Sequence, residues 1–174
     1  EQREYSSVRT PNEACSMLDD TTGCQYWRPS AGAWVGAWMQ IDLAAETPVS
    51  GIVTQPRSSH GHWRVNTYSV KTCNATSYDA TTQRTSCASW VDVDGGASFA
   101  GPPSIPGNQQ NGPGGWRTTA NDYAHAYFSH YVVTRFVRIY PLTWTGQLCM
   151  RAAVLALYAP PSPPGPPPSP RPPP

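Results

Sequence analysis

The stretch 57–62 carries the side chains best suited to chemistry. It reads Arg-Ser-Ser-His-Gly-His, so the imidazoles of His60 and His62 stand two residues apart beside hydroxyl groups. Imidazole can bind a metal or act as a base near neutral pH. No acidic or cysteine residue accompanies the pair, and the sequence has no G-x-S-x-G, H-E-x-x-H or P-loop motif. We therefore expect contact residues in a binding loop and a protein that is not an enzyme.

Seven tryptophans supply a second kind of recognition chemistry. An exposed indole stacks on a sugar face or anchors a protein partner, whereas a buried indole fills a core. Trp34, Trp63 and Trp116 lie in Gly- and Ser-rich stretches, and both interpretations are open for them. Burial or loop anchoring is favoured for the remaining four, which are Trp27, Trp38, Trp90 and Trp144.

Short strands are the elements that would position these side chains. In the stretch 38–43 (Trp-Met-Gln-Ile-Asp-Leu) the apolar residues Met39, Ile41 and Leu43 alternate with polar ones, as in a half-buried strand. Further strands are expected at 49–55, 68–71, 90–93, 135–141 and 150–158, with Gly and Pro between them. Because no helical period occurs, the sequence predicts an all-β sandwich or barrel.

Composition narrows the class of protein. The 174 residues suit one domain, with 12 Lys and Arg against 11 Asp and Glu and a net charge of +1. This balance argues against nucleic-acid binding, which needs concentrated positive charge. No apolar stretch approaches the roughly 20 residues of a membrane-spanning helix. Residues 1–4 (Glu-Gln-Arg-Glu) also lack an apolar segment, so any secretion signal is expected to have been removed.

Cysteine usage favours an oxidising compartment. Five cysteines occur without the spacing of a zinc or redox motif. We expect Cys73 and Cys87 to pair across the polar, Thr-rich stretch 74–86, where a disulfide would replace a missing core. Of the other three, two should pair and the odd one could crosslink to another chain; they are Cys15, Cys24 and Cys149. The sequon at Asn74 likewise predicts a secreted glycoprotein.

Two segments stand apart from the predicted strands. Residues 101–116 form a Gly- and Pro-rich loop long enough to be a contact surface, and it includes Asn108 and Trp116. Residues 159–174 contain only Ala, Pro, Ser, Gly and Arg. Proline fixes φ and donates no backbone hydrogen bond, so an extended polyproline II stalk rising about 3.1 Å per residue is expected. The predicted organisation is a domain at 1–158 followed by this stalk.

Several motifs in order resemble the discoidin-like domains, also known as the C-type domains of coagulation factors V and VIII. They are 26–29 (Tyr-Trp-Arg-Pro), 38–43, 49–55 (Val-Ser-Gly-Ile-Val-Thr-Gln), 134–144 (Thr-Arg-Phe-Val-Arg-Ile-Tyr-Pro-Leu-Thr-Trp), 149–151 (Cys-Met-Arg) and 156–158 (Ala-Leu-Tyr). The resemblance covers about Ala14 to Tyr158. It implies an eight-stranded antiparallel jelly-roll barrel whose loops at one end bind glycans, phospholipid head groups, collagen or proteins without catalysis.

The resemblance also assigns candidate residues. Arg138 and Arg151 match structural positions, and we expect them to pair inside the barrel with a residue such as Asp42. The binding loops would be 27–35, 56–63 and part of 101–116. Their candidate contact residues are Trp27, Arg28, Trp34, Val35, Arg57, His60, His62, Trp63, Asn108 and Trp116.

Calcium is an open alternative within this resemblance. Glycan-binding members hold calcium through an Asp-rich turn, which Asp19 and Asp20 resemble, and through a Glu in the last strand. Here the stretch 151–158 contains no acidic residue. The two aspartates would otherwise simply cap a turn. Membrane binding through Trp34 and Val35 is disfavoured by the composition, because the chain has a single lysine to bind an anionic lipid surface.

The Pro-rich tail resembles the hydroxyproline-rich glycoproteins of plant and green-algal cell walls, through its Ser-Pro-Pro and Pro-Pro-Pro-Ser-Pro runs. That resemblance implies hydroxylation and O-linked sugars at Pro160, Pro161, Ser162, Pro163, Pro164, Pro166, Pro167, Pro168, Ser169 and Pro170. The first hypothesis is a secreted structural or adhesive module that assembles into a matrix, cell wall or filament with other copies or other matrix glycoproteins, through contacts between its barrel loops and the glycosylated Pro-rich segment of another copy. The alternatives are a lectin-like module with the tail as spacer, and an accessory domain severed from an enzyme.

Overall fold

The computed structural model describes residues 2–14, 16–19, 26–57, 63–74, 76–80, 84–103 and 123–157. Several sequence predictions lie outside these residues and stay predictions: Cys15, Asp20, Cys24, His60, His62, Asn108, Trp116 and the stalk at 159–174.

Antiparallel strands make up nearly all of the regular structure. The strands are β1 (Gln2–Tyr5), β2 (Met39–Gln55), β3 (Arg64–Cys73), β4 (Thr76–Asp79), β5 (Arg84–Cys87), β6 (Val91–Asp92), β7 (Phe99–Ala100), β8 (Ala124–Thr145) and β9 (Arg151–Ala156). Within the described residues the helical structure is limited to two 3-10 turns, Pro11–Glu13 and Val93–Gly95. The predicted all-β class is confirmed.

Two long strands organise the barrel. The sheet runs β1-β2-β8-β3-β6, with β7 added to β3 and β9 added to β2, while β4 and β5 form a separate hairpin. The first part of β2 pairs with β8 at 136–139, and the second part pairs with both β8 and β9. An irregularity between Asp42 and Thr47 separates the two parts, and Ala44 there has a φ of 69°. The strands predicted at 38–43 and 49–55 are therefore one bent strand.

Alternation along β2 and β8 builds the core. Met39 and Ile41 are fully buried, and Leu43 packs against the core from its edge, as the sequence pattern predicts. Val137 and Ile139 of β8 meet them from the neighbouring strand. The opposite faces of these strands carry the paired polar side chains.

On that polar face the predicted pairing of Arg138 with Asp42 is wrong. Asp42 binds Arg135, whose Nε and Nη2 donate to the two carboxylate oxygens at 2.8 and 3.0 Å. Arg138 instead donates to Gln40 Oε1 at 2.7 Å, because these two residues lie directly opposite each other in the β2–β8 register. Arg151 donates through Nε to the carbonyl oxygen of Pro56 at 2.9 Å.

Arg138 also organises the outer face of the sheet. Its guanidinium lies 3.7 Å from the ring centroid of Trp38 and 4.1 Å from that of Trp90. Such contacts between a cation and aromatic rings each contribute about 0.5–1 kcal/mol at exposed sites. Trp38 and Trp90 therefore anchor the segments before β2 and β6 to the sheet, which matches their predicted role as anchoring residues.

A disulfide joins Cys73 at the end of β3 to Cys87 at the end of β5, the pairing expected from the sequence. It ties the β4–β5 hairpin to the sheet. The side chain of Thr134 accepts from the Cys73 amide at 3.1 Å and donates to the Cys73 carbonyl at 3.0 Å, so the anchor point is buried and hydrogen-bonded.

Candidate binding site at the loop end

The ends of β2, β3 and β8 meet at one end of the barrel. We call this region the loop end and define it as residues 26–38, Arg57, Trp63 and 144–147. Arg64 at the start of β3 pairs with Thr145 at the end of β8, and the Arg57 amide donates to the Trp63 carbonyl at 3.3 Å. The long 101–116 loop starts nearby, since the Gly101 amide donates to the Asn66 carbonyl at 2.7 Å.

Trp27 is buried beneath the loop end and is not part of its surface. Its side chain is fully buried, its Nε1 donates to the Ser7 carbonyl at 3.0 Å, and its ring stacks on Tyr5 with centroids 5.7 Å apart. Its backbone also exchanges two hydrogen bonds with Met150. The expectation that Trp27 contacts a ligand is wrong, because every face of the indole is already packed.

Arg28 also lies beneath the surface, contrary to the expectation of a contact residue. Only 8% of its side chain is exposed, and Nη1 lies 3.6 Å from the Glu13 carboxylate. Its amide donates to the Glu13 carbonyl at 3.1 Å, so backbone and side chain both hold this residue against the 3-10 turn. Arg28 therefore contributes positive charge beneath the surface of the loop end and is not a side chain that a ligand can contact directly.

Arg57 and Trp63 form the half-buried centre of the loop end. The Arg57 guanidinium lies 4.4 Å from the Tyr26 ring centroid and 4.6 Å from that of Trp63. Arg28 approaches the same indole at 5.6 Å. The result is a layered stack of rings and guanidinium groups at the base of the segment 58–62.

Neighbouring groups fix this stack in place. Trp63 packs on Gly146, where a Cβ would come within 2.5 Å of the indole and where φ is 65°. Both observations require glycine at this position. Tyr26 donates its hydroxyl to Glu13 at 3.0 Å, and burial raises the pKa of this phenol, so it stays neutral and holds the carboxylate.

The tip of the loop end is apolar. Val35 has 92% of its surface exposed, and its neighbour Trp34 packs edge-on against Trp144 with ring centroids 5.8 Å apart. Two turns shape this tip, with the Ala33 amide donating to Ser30 and the Ala37 amide to Trp34. Trp144 on β8 and Gly146 just after the end of β8 are two residues apart, so the tip and the Arg57–Trp63 stack flank the same strand end.

Cys149 lies under the arginines as a free thiol. It is fully buried, and burial raises its pKa to about 12, with Arg28 and Arg57 partly offsetting the shift. A thiol with this pKa is protonated at neutral pH and is a poor nucleophile. The residue therefore behaves as a packing group, and a crosslink through it would require the barrel to open.

Asp19 serves as an acceptor of hydrogen bonds. One carboxylate oxygen accepts from Gln55 Nε2 at 3.0 Å and the other accepts from the Tyr123 hydroxyl, while the Asp19 amide donates back to Gln55. These bonds hold the pKa of the Asp19 carboxyl below its usual range. No cluster of three or more His, Cys, Asp or Glu able to hold a metal occurs among the residues that the structure describes. Calcium binding with Asp20 stays an untested prediction.

A comparison with models of known families identifies the family of this chain. The model of the F5/8 type C domain matches residues 3–154. The chain belongs to the F5/8 type C family. Lactadherin from Sus scrofa is 31% identical over 141 residues, and lactadherin from Bos taurus is 32% identical over 142. These alignments cover 80% of this chain but only 29% and 28% of the lactadherin chains. This F5/8 type C domain thus spans under a third of the length of these relatives.

Solved structures with the same fold include discoidin II of Dictyostelium discoideum, with a TM-score of 0.60, 14% identity and coverage of 91% of this chain and 56% of that one. Another is chitosan-binding module 2 of a Paenibacillus chitosanase/glucanase, solved with chitotriose. It has a TM-score of 0.54 and 17% identity, with 88% and 94% coverage. At these identities the likeness establishes the fold of the F5/8 type C domain alone. Among its described residues, no helix is long and apolar enough to cross a membrane.

Two residues that organise the loop end were not among the sequence candidates, whereas the anchoring role favoured for Trp144 matches its contact with Trp34. Tyr26 and Gly146 hold the Arg57–Trp63 stack, and Trp144 supports the apolar tip. The sequence contains one usable signal, which is the glycine in Thr145-Gly146-Gln147 between the strands predicted at 135–141 and 150–158, since glycine commonly marks a close approach of another group to the backbone.

Proposed function

We propose that this F5/8 type C domain is a secreted, non-enzymatic adhesive module that binds glycans through its loop end. The observation that carries the proposal is the adjacency of an exposed apolar tip at Val35 and a fixed arginine–indole stack at Arg57 and Trp63. Family members and fold neighbours support it, since one of them is a chitosan-binding module solved with chitotriose.

The stack suits carbohydrate chemistry. A sugar ring presents an apolar C–H face to an indole, while its hydroxyl groups accept hydrogen bonds from a guanidinium. Arg57 is already held between the rings of Tyr26 and Trp63. Binding therefore costs less side-chain entropy than it would with a free arginine.

Retention on immobilised oligosaccharides, chitotriose among them, tests this proposal. Arg57→Gln removes the charge and should weaken retention at least about tenfold, since hot-spot residues contribute about 2 kcal/mol or more. Val35→Ser should weaken it less. Val91→Ser is the matched control, because Val91 lies on β6, outside the loop end, and is also exposed, at 63%.

Thermal melts of all three variants should overlay that of the unaltered chain. Equal retention of Arg57→Gln, Val35→Ser and Val91→Ser would place glycan binding elsewhere on the molecule. A folded chain that no glycan of the panel retains would overturn the proposal itself.

A second candidate function is assembly into a matrix or filament with other copies or other matrix glycoproteins. The specific observation in its favour is the Pro-rich sequence 159–174, which is too poor in apolar side chains to join a core. The sequon residue Asn74 is exposed beside the disulfide, where a glycan can be accommodated. O-linked sugars on the stalk belong to this same proposal.

A further inference from the structure

An apolar outer face lies where β9, β2 and β8 run side by side, away from the loop end. Ile52, Ala126 and Ala152 of these strands point into the core. Their neighbours along each strand consequently point outward. Tyr127, Gly51 and Leu155 form one row across the three strands, as their pairing register shows.

A second row lies one step farther along, where Val133 pairs with Pro48 and the Leu157 amide donates to the Pro48 carbonyl at 2.8 Å. Tyr131 faces the same way, because its neighbour Val132 packs against the core. We call this surface the tyrosine face and define it as Pro48, Gly51, Tyr127, Tyr131, Val133, Leu155 and Leu157.

The tyrosine face exposes large apolar side chains without charge. Tyr127 is 68% exposed, Tyr131 62%, Leu157 47% and Val133 41%. None of its residues is Lys, Arg, Asp or Glu. Contiguous apolar patches of this kind on a soluble domain commonly mark interaction sites.

The first row of this face has no side chain at its centre. Gly51 has no side chain between Tyr127 and Leu155 in the first row, and a Cβ there would collide with the Ala126 carbonyl oxygen. Beside the row, β8 bulges outward between Tyr127 and Val132. Asp94 fixes the bulge by accepting hydrogen bonds from the amide and hydroxyl of Ser129.

The described part of the chain ends at the edge of this same face. Leu157 is part of the second row, and the sequence then reads Tyr-Ala-Pro-Pro from 158 to 161. β9 leads the chain from Leu155 in the first row toward Leu157 in the second row. A stiff polyproline II rod continuing in that direction cannot turn back at once, and residues 160–174 would reach about 45 Å at about 3.1 Å per residue.

We propose that the tyrosine face binds the Pro-rich segment 159–174 of a second copy of this chain. This inference deepens the second candidate function, assembly, and is independent of glycan binding at the loop end. Exposed aromatic rings bordering a shallow groove are the surface that polyproline II ligands recognise. Such a ligand is ordered before it binds, so it loses little entropy. Each copy carries both a tyrosine face and a Pro-rich segment, which allows a repeating head-to-tail contact.

Sedimentation velocity of the full chain over a range of concentrations tests the contact. We expect reversible self-association that a synthetic peptide of residues 159–174 competes away, whereas a peptide with alanine at every proline does not. Tyr127→Ser with Tyr131→Ser should weaken the association at least about tenfold. Tyr78→Ser is the matched control, because Tyr78 is also exposed, at 64%, but lies on the β4–β5 hairpin.

The outcomes separate this inference from both proposed functions. Association that is equally strong in the double variant and in Tyr78→Ser overturns the tyrosine face as the docking site and leaves assembly standing. A chain that stays monomeric up to about 1 mM, where even weak complexes form, overturns assembly as well. Retention on glycans should be unchanged in the double variant, and its loss there would contradict the independence of the two surfaces.

Discussion

At the scale of residues, the register of β2 and β8 determines which polar side chains meet. Gln40 binds Arg138 because the two lie directly opposite each other, whereas Asp42 lies opposite Phe136, next to the irregularity in β2, and binds the adjacent Arg135. The sequence alone could show that arginines and polar acceptors alternate with apolar residues in 38–43 and 134–144. It could not show the pairing, since a shift of register by one residue moves every side chain to the other face.

The Asp42–Arg135 pair predicts a dependence of stability on pH. The hydrogen bonds from Arg135 hold the pKa of Asp42 below its usual range, so ionised Asp42 stabilises the folded state. That contribution is complete above the unfolded-state pKa of about 3.9 and disappears as pH falls through the lower folded-state pKa. Asp42→Asn should therefore lower the free energy of unfolding by about 1 kcal/mol at pH 7 and by progressively less below pH 4.

Urea unfolding of both chains at several pH values measures this difference. Asp92→Asn is the control, because the Asp92–Lys71 pair has more exposed side chains, 47% and 33%, and should contribute less. A cost for Asp42→Asn that stays constant down to pH 2 would contradict the assigned role of the ion pair.

Cys149 gives a second prediction at this scale. Because burial raises its pKa to about 12, iodoacetamide should leave this thiol unmodified in the folded chain at pH 8 and label it rapidly in denaturant. Peptide mass mapping measures both states. Rapid labelling of Cys149 under native conditions would show that the loop end opens and would revive it as a site for crosslinking to another chain.

At the scale of elements, the sequence predicts where strands occur but not that two predicted strands form one continuous strand. Alternation predicted the first part of β2 and the core positions Met39 and Ile41, and the structure confirms them. The bend at Ala44 was not predictable, because a left-handed φ at a non-glycine residue arises from tertiary pairing rather than local preference. Trp27 had two interpretations from the sequence, a buried or anchoring residue and a contact residue, and its long-range packing confirms the first.

The β4–β5 hairpin predicts a measurable loss when its disulfide is removed. Little apolar surface holds this hairpin, since Ser77 and Tyr78 are exposed. The Cys73–Cys87 bond closes a separation of 14 residues, which in the chain-entropy model contributes roughly 3 kcal/mol. Cys73→Ala with Cys87→Ala should lower the free energy of unfolding by that amount in urea titration. A loss under about 0.5 kcal/mol would mean that the hairpin is held by other contacts.

At the scale of the whole molecule, two surfaces are separated along the β2 strand. The C-terminal end of β2 leads to Arg57 at the loop end. Pro48 and Gly51, in the middle of β2, are part of the tyrosine face. A domain arranged in this way can hold a glycan at one site and a second chain at the other without competition. Adhesion and assembly are then compatible functions of one small barrel.

The stalk that would join such copies carries the last prediction, which concerns covalent sugars. A polyproline segment has a solvated backbone and no internal hydrogen bonds, so sugars packed along it stiffen it and shield it from proteases. Protein isolated from the organism that makes it should exceed the polypeptide mass of 18.9 kDa, whereas the same chain from bacteria should not. Enzymatic removal of N-glycans should remove the part of the excess mass that Asn74 carries. The excess mass that remains should belong to sugars on 159–174. An intact mass equal to the polypeptide, after allowance for disulfides, would exclude both modifications and leave the bare stalk as the ligand of the tyrosine face.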